Sequence, residues 1–209
     1  MKSLAFYNKE GIGDVLLLTN GITDEDHLSY ERKGDVTIIR DQTNDQVMGI
    51  NIHRLSKHFK VEGQGLVKLN KEQEMLVKNL IKEAGFDLEV EIDREEKFVV
   101  GFVEECQAHE DSDHLNITQT RVSEDEVLQI VCGAANIAQG QKVLVAKSGA
   151  VMPSGAIIWP GELRGVPSRG MICSTRELGL EDIQNDPGIW VLPNHFEVGT
   201  SLAEVIQSY

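Results

Sequence analysis

From Phe98 onward the chain is a succession of short β-forming runs, at 98–106, 115–122, 127–132, 142–146 and 171–173, separated by turns and one-turn helical stretches. Short strands at even spacing favour a closed β architecture, because closure leaves no long sheet edge exposed. A small five-stranded barrel of this kind presents one sheet face and its rim loops to a ligand.

The first half reads differently. Leu4–Tyr7, Val15–Thr19, Val36–Ile39 and Val47–Ile52 are short aliphatic or β-branched runs parted by turn-rich pieces, KEGIGD at 9–14 and GITDED at 21–26. They predict a small antiparallel or mixed sheet. One helix follows over Lys71–Ala84. Asn70 and Gln73 have capping-box spacing, Met75, Leu76, Leu80, Ile81 and Ala84 form an apolar stripe, and Gly85 suits the left-handed residue that ends a helix. A charged linker, Glu89–Lys97, separates the halves, although LEVEI at 88–92 alternates well enough for an edge strand. The expected organisation is an α+β domain over 1–90 followed by an all-β domain over 97–209. GQG at 63–65 is not a dinucleotide fingerprint, since no strong strand precedes it and no helix opens from it, and the chemistry of residues 1–90 is unassigned.

The chain is acidic, with a formal net charge of −14. Phosphate neutralisation by Lys and Arg supplies most non-specific affinity for nucleic acid, so indiscriminate binding to polyanions is excluded. The distribution is uneven, however. Between 142 and 176 five basic residues, Lys142, Lys147, Arg164, Arg169 and Arg176, stand against one acid, Glu162, a local excess of four positive charges. The acids gather at 24–26, 89–96, 104–113, 124–126 and 181–186. The basic window is either a solvated face or a patch for an anionic partner. Three cysteines, Cys106, Cys132 and Cys173, cannot all pair, and each lies in or beside an apolar run, which reads as buried free thiols in a reducing compartment. No apolar run approaches the roughly 18–20 residues that span a bilayer, and the N-terminus lacks the long apolar region of a signal peptide. A cytoplasmic protein with no membrane partner is expected.

Four signals follow one another in the second half: HEDSDHL (109–115), IVCGAAN (130–136), GQKVLVAKSGAVMPSG (140–155) and ELRGVPSRGMICSTRELGL (162–180). In that order they resemble the tRNA-binding domain appended to several aminoacyl-tRNA synthetases. That domain forms the N-terminal part of the bacterial phenylalanyl-tRNA synthetase β subunit and the C-terminal part of bacterial methionyl-tRNA synthetase, and it recurs in endothelial monocyte-activating polypeptide II. RGVPSRGM with its following Cys-Ser is the most specific piece. With a domain of similar size in front, the whole chain resembles the free-standing YtpR-type bacterial proteins. The resemblance covers roughly the last half and implies a non-catalytic OB-fold that binds tRNA. A five-stranded OB barrel also fits the strand series above.

Individual positions take physical roles within that frame. In DHLNITQTRV (113–122) alternation puts Leu115, Ile117 and Val122 inward and Asn116, Thr118 and Thr120 outward, on a surface that either meets RNA or is plainly solvated. Gln119 stands where the synthetase-appended domains commonly carry Lys, which removes one phosphate contact. Gly133 and Asn136 turn the chain into a short helical piece that Asn136 caps. KSGAVMPSG (147–155) is a sharply turned polar loop that either places Lys147, Ser148 and backbone donors near a phosphate or simply joins a hairpin. Arg164 and Arg169 flank a Gly-Val-Pro turn, so each guanidinium can bind phosphate bidentately or stack on a base. Ser168 and Met171 match the S-x-G-M pattern of the resembled domains, for contact with a sugar edge or a base face. Ser174 and Glu177 have capping-box spacing for a short helix through Leu178, with a phosphate near Ser174 as the functional alternative. Trp159 in a loop is available as a stacking platform, and Trp190 in IWVL reads as core. The candidate RNA-binding set is Asn116, Lys142, Lys147, Ser148, Arg164, Ser168, Arg169, Met171, Ser174 and Arg176.

Catalytic patterns are weak. Cys106, His109 and His114 have a metal-like spacing that no second ligand cluster completes, and Glu110, Asp111 and Asp113 lack the Gly and terminal Glu of a calcium loop. No GxSxG, HExxH or phosphate-binding loop occurs. A protein without catalytic residues, metal or cofactor is expected. Two alternatives stay open: a protein-interaction module whose acidic N-terminal domain docks a basic partner, and an enzyme whose site lies in residues 1–90. The extension Trp190–Ile206 carries Val191, Leu192, Phe196, Val198, Leu202 and Val205. These either pair two copies into a homodimer or plug the end of the barrel.

Overall fold

The computed structural model describes residues 1–21, 25–183 and 186–209. Asp24 and part of the turn expected over 21–26 lie outside the described residues. The chain divides between Glu95 and Glu96 into two compact units.

In the first unit β1 (Lys2–Tyr7), α1 (Lys9–Ile12), β2 (Val15–Thr19), β3 (Leu28–Lys33), β4 (Val36–Asp41), β5 (Val47–His53), β6 (Gly65–Leu66), α2 (Lys71–Glu83) and β7 (Glu91–Ile92) follow in order. The strands form one mixed sheet in the order β3-β4-β5-β2-β1-β6, antiparallel except that β7 lies parallel to β1. KEGIGD is a helical turn rather than a plain one, since the Asn8 carbonyl oxygen of the side chain accepts from the Gly11 N–H at 2.9 Å. α2 begins at its capping box: Asn70 Oδ1 accepts from the Gln73 N–H and Gln73 Oε1 from the Asn70 N–H, each at 2.8 Å. Its buried stripe is rotated from the expected one. Val77 and Ile81 are buried and Met75 is 62% exposed. Positions 77, 80, 81 and 84 keep the i, i+3, i+4, i+7 spacing of one face, and position 75 falls about 200° away from 77 at 3.6 residues per turn.

Two carboxylates tie the turn after β5 to the sheet. Ser56 donates its hydroxyl to Asp14 at 2.6 Å and the Tyr7 hydroxyl donates to the same residue at 2.9 Å. Asp35 pairs with the Arg54 guanidinium and, at 3.0 Å, with His58. These bonds hold both carboxyls below the usual range, Asp14 chiefly through the Ser56 hydroxyl and Asp35 chiefly through Arg54. A carboxyl depressed in the folded state contributes stability that is full above its unfolded value, about 3.9, and is lost as pH falls through the folded value. Asp35→Asn is therefore expected to destabilise the first unit by about 1–2 kcal/mol at pH 7, the Arg54 side chain being 57% exposed. The difference from the parent should shrink below about pH 4. Denaturant titrations followed by far-UV circular dichroism at pH 7 and at pH 3 check both statements.

The second unit contains β8 (Phe98–Ala108), β9 (Asn116–Arg121), β10 (Val127–Cys132), β11 (Lys142–Lys147), β12 (Gly161–Leu163), β13 (Val166–Ser168), β14 (Gly170–Ile172), β15 (Val191–Leu192) and α3 (Leu202–Gln207). β8 is long because it serves two neighbours: Phe98–Phe102 pair with β11, and Phe102–Ala108 pair with β9 across a bulge at Val103/Glu105. The sheet order is β10-β9-β8-β11-β14, with β15 added on β11. The result is a nearly closed five-stranded barrel with β12 and β13 as a separate hairpin.

The run Val143–Ala146 is fully buried because both of its faces are covered. Val143 and Val145 face the barrel interior with Val99, Val103, Leu128, Ile130 and Ile172. Leu144 and Ala146 face a second core with Val100, Trp190, Leu192, Phe196 and Val205. The C-terminal extension is thus an outer layer over β8 and β11, and most of its apolar side chains are used within the chain. α3 starts at a capping box of Ser201 and Glu204.

Candidate nucleic-acid interface

The segment RGVPSRGM closes the barrel. Among the described residues β10 has no regular ladder partner on its outer edge; three bonds to the β13–β14 segment stand in for one, and a fourth braces that segment internally. The Arg169 N–H donates to the Gln129 carbonyl at 2.9 Å, Gln129 Nε2 donates to the Pro167 carbonyl at 2.8 Å, the Val131 N–H donates to Ser168 Oγ at 3.1 Å, and that hydroxyl donates on to the Gly170 carbonyl at 3.3 Å. Ser168 is 5% exposed, so its expected contact with a sugar edge is corrected: the hydroxyl completes the seam. Gly170 is required for close approach, since a Cβ there would stand 2.9 Å from the Ala146 carbonyl.

The turn between β12 and β13 is Arg164-Gly165, not the expected Gly-Val-Pro, because Val166 and Pro167 are in β13 and Leu163 pairs with Val166. Both turn residues have positive φ, +47° for Arg164 and +77° for Gly165, which is the two-residue turn whose twist matches a hairpin. A non-glycine side chain at such φ is unfavourable. The exposed Arg164 is nevertheless held there, with Nη1 donating to the Asp111 carbonyl at 3.0 Å. Buried His109 adds a second tie: its Nδ1 accepts from the Asp111 N–H at 3.0 Å, which leaves Nε2 as the donor toward the Leu163 carbonyl at 3.4 Å. The 109–114 loop and the hairpin tip are therefore fastened together, and this is the role of His109.

The other candidates fall into separate places. Arg169 is exposed between β13 and β14, and its guanidinium has no hydrogen bond or ion pair among the described residues. Arg176 is exposed in the turn after β14. Lys147 is not in a rim loop but ends β11, where Glu126 holds its amine at 2.6 Å and its side chain is 12% exposed. Lys142 donates to the Phe196 carbonyl. Ser148 is half-buried in the turn after β11, and Met171 is half-buried in β14. Ser174 makes the reciprocal bonds of a capping box with Glu177, but the chain continues as a turn rather than a helix.

On β9 the expected alternation is reversed. Thr118 and Thr120 are 0% exposed, opposite Ile130 and Leu128 of the barrel core, while Ile117 and Gln119 take the other face. The two hydroxyls satisfy each other at 2.9 Å, and Thr118 also donates to the Ile130 carbonyl at 2.9 Å. Asn116 shares the inward parity, paired with Cys132, and is half-buried. Asn136 caps no helix. Its side-chain amide receives the Ile189 N–H at 2.9 Å and donates to the Ile189 carbonyl at 3.0 Å, joining the turn after β10 to the segment before β15.

Between that segment, the hairpin and β10/β14 lies a cleft of about 690 Å³. Trp159, Ile158, Leu163, Met171 and Ile189 give it apolar walls, and Glu162, Ser174, Arg176 and Glu177 give it polar points. Cys132 also lines it, but burial raises that thiol, as it does Cys106, and pushes Cys173 up to about 12. A thiol raised by burial is a poor nucleophile at neutral pH. Cys106, expected to be buried, is only half-buried.

A family described as "Putative tRNA binding domain" matches residues 98–201, and a domain of unknown function matches residues 23–93. Over 118 residues the chain is 54% identical to the phenylalanine–tRNA ligase beta subunit of Oceanobacillus iheyensis, a match that takes in 54% of this chain and 14% of that subunit. Among solved structures, the C-terminal domain of Plasmodium vivax p43 aligns with a TM-score of 0.36 at 24% identity, over 50% of this chain and 57% of that one. The "Putative tRNA-binding protein YtpR" of Bacillus subtilis (strain 168) is 45% identical over 195 residues, 93% of this chain and 96% of that protein. With 93% of its length matched at that identity, the chain belongs to the YtpR family.

Proposed function

We propose that this protein binds tRNA without transforming it, through its C-terminal barrel, and that Arg164, Arg169 and Arg176 supply the phosphate contacts. The observation that carries this reading is the exposed Arg164 kept at φ +47° on a hairpin tip. Folding alone would favour Gly, Asn or Asp there, and strain of that kind persists where a side chain is needed for another purpose. A rigid hairpin presenting a guanidinium suits bidentate capture of a phosphate. The family description and the name of the B. subtilis relative support the choice of tRNA as the anion. Recognition is of RNA shape, since few hydrogen-bonding side chains are left to read bases. Such a role places the protein in the cytoplasm. A homodimer would pair through the C-terminal extension, where Ile206 is 36% exposed, with Tyr209 beyond it at 53%.

The test is fluorescence anisotropy of labelled tRNA with the full chain at low salt, with tRNA and a DNA duplex of equal phosphate content as competitors. A Kd in about the micromolar range and competition by tRNA alone are expected. Equal competition by the duplex contradicts shape recognition. No binding at all would put the protein-interaction reading in its place.

A further inference from the structure

We infer that the cleft beside the hairpin takes one unstacked nucleobase, and that Glu177 makes it prefer an amino-bearing base over uracil. The inference rests on the RNA-binding reading above. Its physical basis is separate from Arg164 and Arg169, neither of which lines the cleft. The cleft, about 690 Å³, is of the size that encloses a small ligand. Its aromatic lining residue is Trp159, half-buried, and sequence-tolerant binding of single-stranded bases works by stacking on such rings.

The lining charges say which part of a nucleotide enters. Glu162 and Glu177 outnumber Arg176 among the lining residues, so a phosphate is unwelcome inside, whereas a neutral base with an N–H to donate is not. Glu177, a lining residue, has an acceptor to offer. Its Oε2 already accepts the Ser174 N–H and hydroxyl, both at 2.7 Å, and its Oε1 has no partner among the described residues. Carboxylates accept from the exocyclic amine of cytosine, and adenine and guanine offer amines too. Uracil offers one imide N–H flanked by two carbonyl oxygens, which repel a carboxylate.

The experiment uses the full chain with single-stranded RNA pentamers, rA5, rC5 and rU5, read by tryptophan fluorescence quenching, and with tRNA, read by anisotropy. The parent should bind rC5 and rA5 about fivefold or more tighter than rU5. Trp159→Ala should lower pentamer affinity about tenfold and Trp159→Phe only slightly, since stacking needs a ring rather than an indole. Glu177→Gln supplies the specificity readout. The amide oxygen can keep both Ser174 bonds and turn its NH2 into the cleft, so the preference over uracil should be lost, because uracil, cytosine and adenine all offer acceptors to an amide donor. Equal affinity for the three pentamers in the parent, an unchanged preference in Glu177→Gln, or undiminished pentamer binding by Trp159→Ala, would overturn the inference while leaving tRNA binding through the arginines intact. A parent that bound tRNA but no pentamer would overturn it too. A parent that bound neither would overturn both readings.

Discussion

Replacing Arg164 and Arg169 together by Glu is expected to lower tRNA affinity about a hundredfold or more, with the melting temperature nearly unchanged. Each reversal removes one cationic contact and adds one repulsion in a chain that already carries −14, so no other part of the molecule compensates. Both side chains are exposed, and exposed charges contribute little to folding, so the one bond lost, from Arg164 to the Asp111 carbonyl, should cost little. The converse change is informative. Glu126→Gln removes the carboxylate that pairs with Lys147 at 2.6 Å and one negative charge from an acidic chain, and should leave affinity unchanged or raise it slightly. Anisotropy titrations of the three proteins, with thermal melts as controls, decide this. A double reversal that bound like the parent would remove the hairpin from the interface.

Ser168→Ala should do the opposite, costing stability and sparing binding. It leaves the Val131 N–H in the seam without its acceptor, 3.1 Å away in the parent. A buried donor left unpaired costs about 1–3 kcal/mol, which for a unit of this size is a fall of about 4–12 °C in melting temperature. At 20 °C the folded variant should bind tRNA within about twofold of the parent. If instead affinity fell tenfold and the melting temperature stayed, Ser168 would be an RNA contact and the seam would be held by its other bonds. The distinction matters because RGVPSRGM then has two duties: Ser168 and Gly170 close the barrel, and Arg164 and Arg169 are exposed.

That double duty explains which parts of the molecule were legible in the sequence. The strands of the barrel sheet were, because Val127–Cys132 and Val143–Ala146 are β-forming runs in which every residue but Val127 and Gln129 is apolar and buried. So were the capping box of α2 and the core position of Trp190. β3 was not: LSYERK is half-buried or exposed throughout and carries no alternation. The face of β9 was misread because Thr118 and Thr120 are polar by type yet satisfied inside the barrel by each other and by the Ile130 carbonyl. Hydrophobic patterning cannot see a hydroxyl pair of that sort. For the candidate site, residue type pointed to the right segment, but only tertiary pairing separates the arginines that remain exposed from the lysines that Glu126 and the Phe196 carbonyl engage. α3 did carry a readable signal, the Ser201-x-x-Glu204 spacing, and the hairpin carried one in Arg164-Gly165 between β-forming residues.

On the proposed reading, a small, fixed number of guanidinium contacts binds RNA on an acidic protein. The salt dependence of tRNA affinity measures that number. Three contacts, Arg164, Arg169 and Arg176, correspond to a slope of log K against log salt of about −2 to −3, shallower than the full basic window of five residues would give. Titrations of the full chain between about 20 and 200 mM salt should return that value, and the double Glu variant too weak a signal to fit. A slope near zero, or no binding at 20 mM salt, would contradict the account.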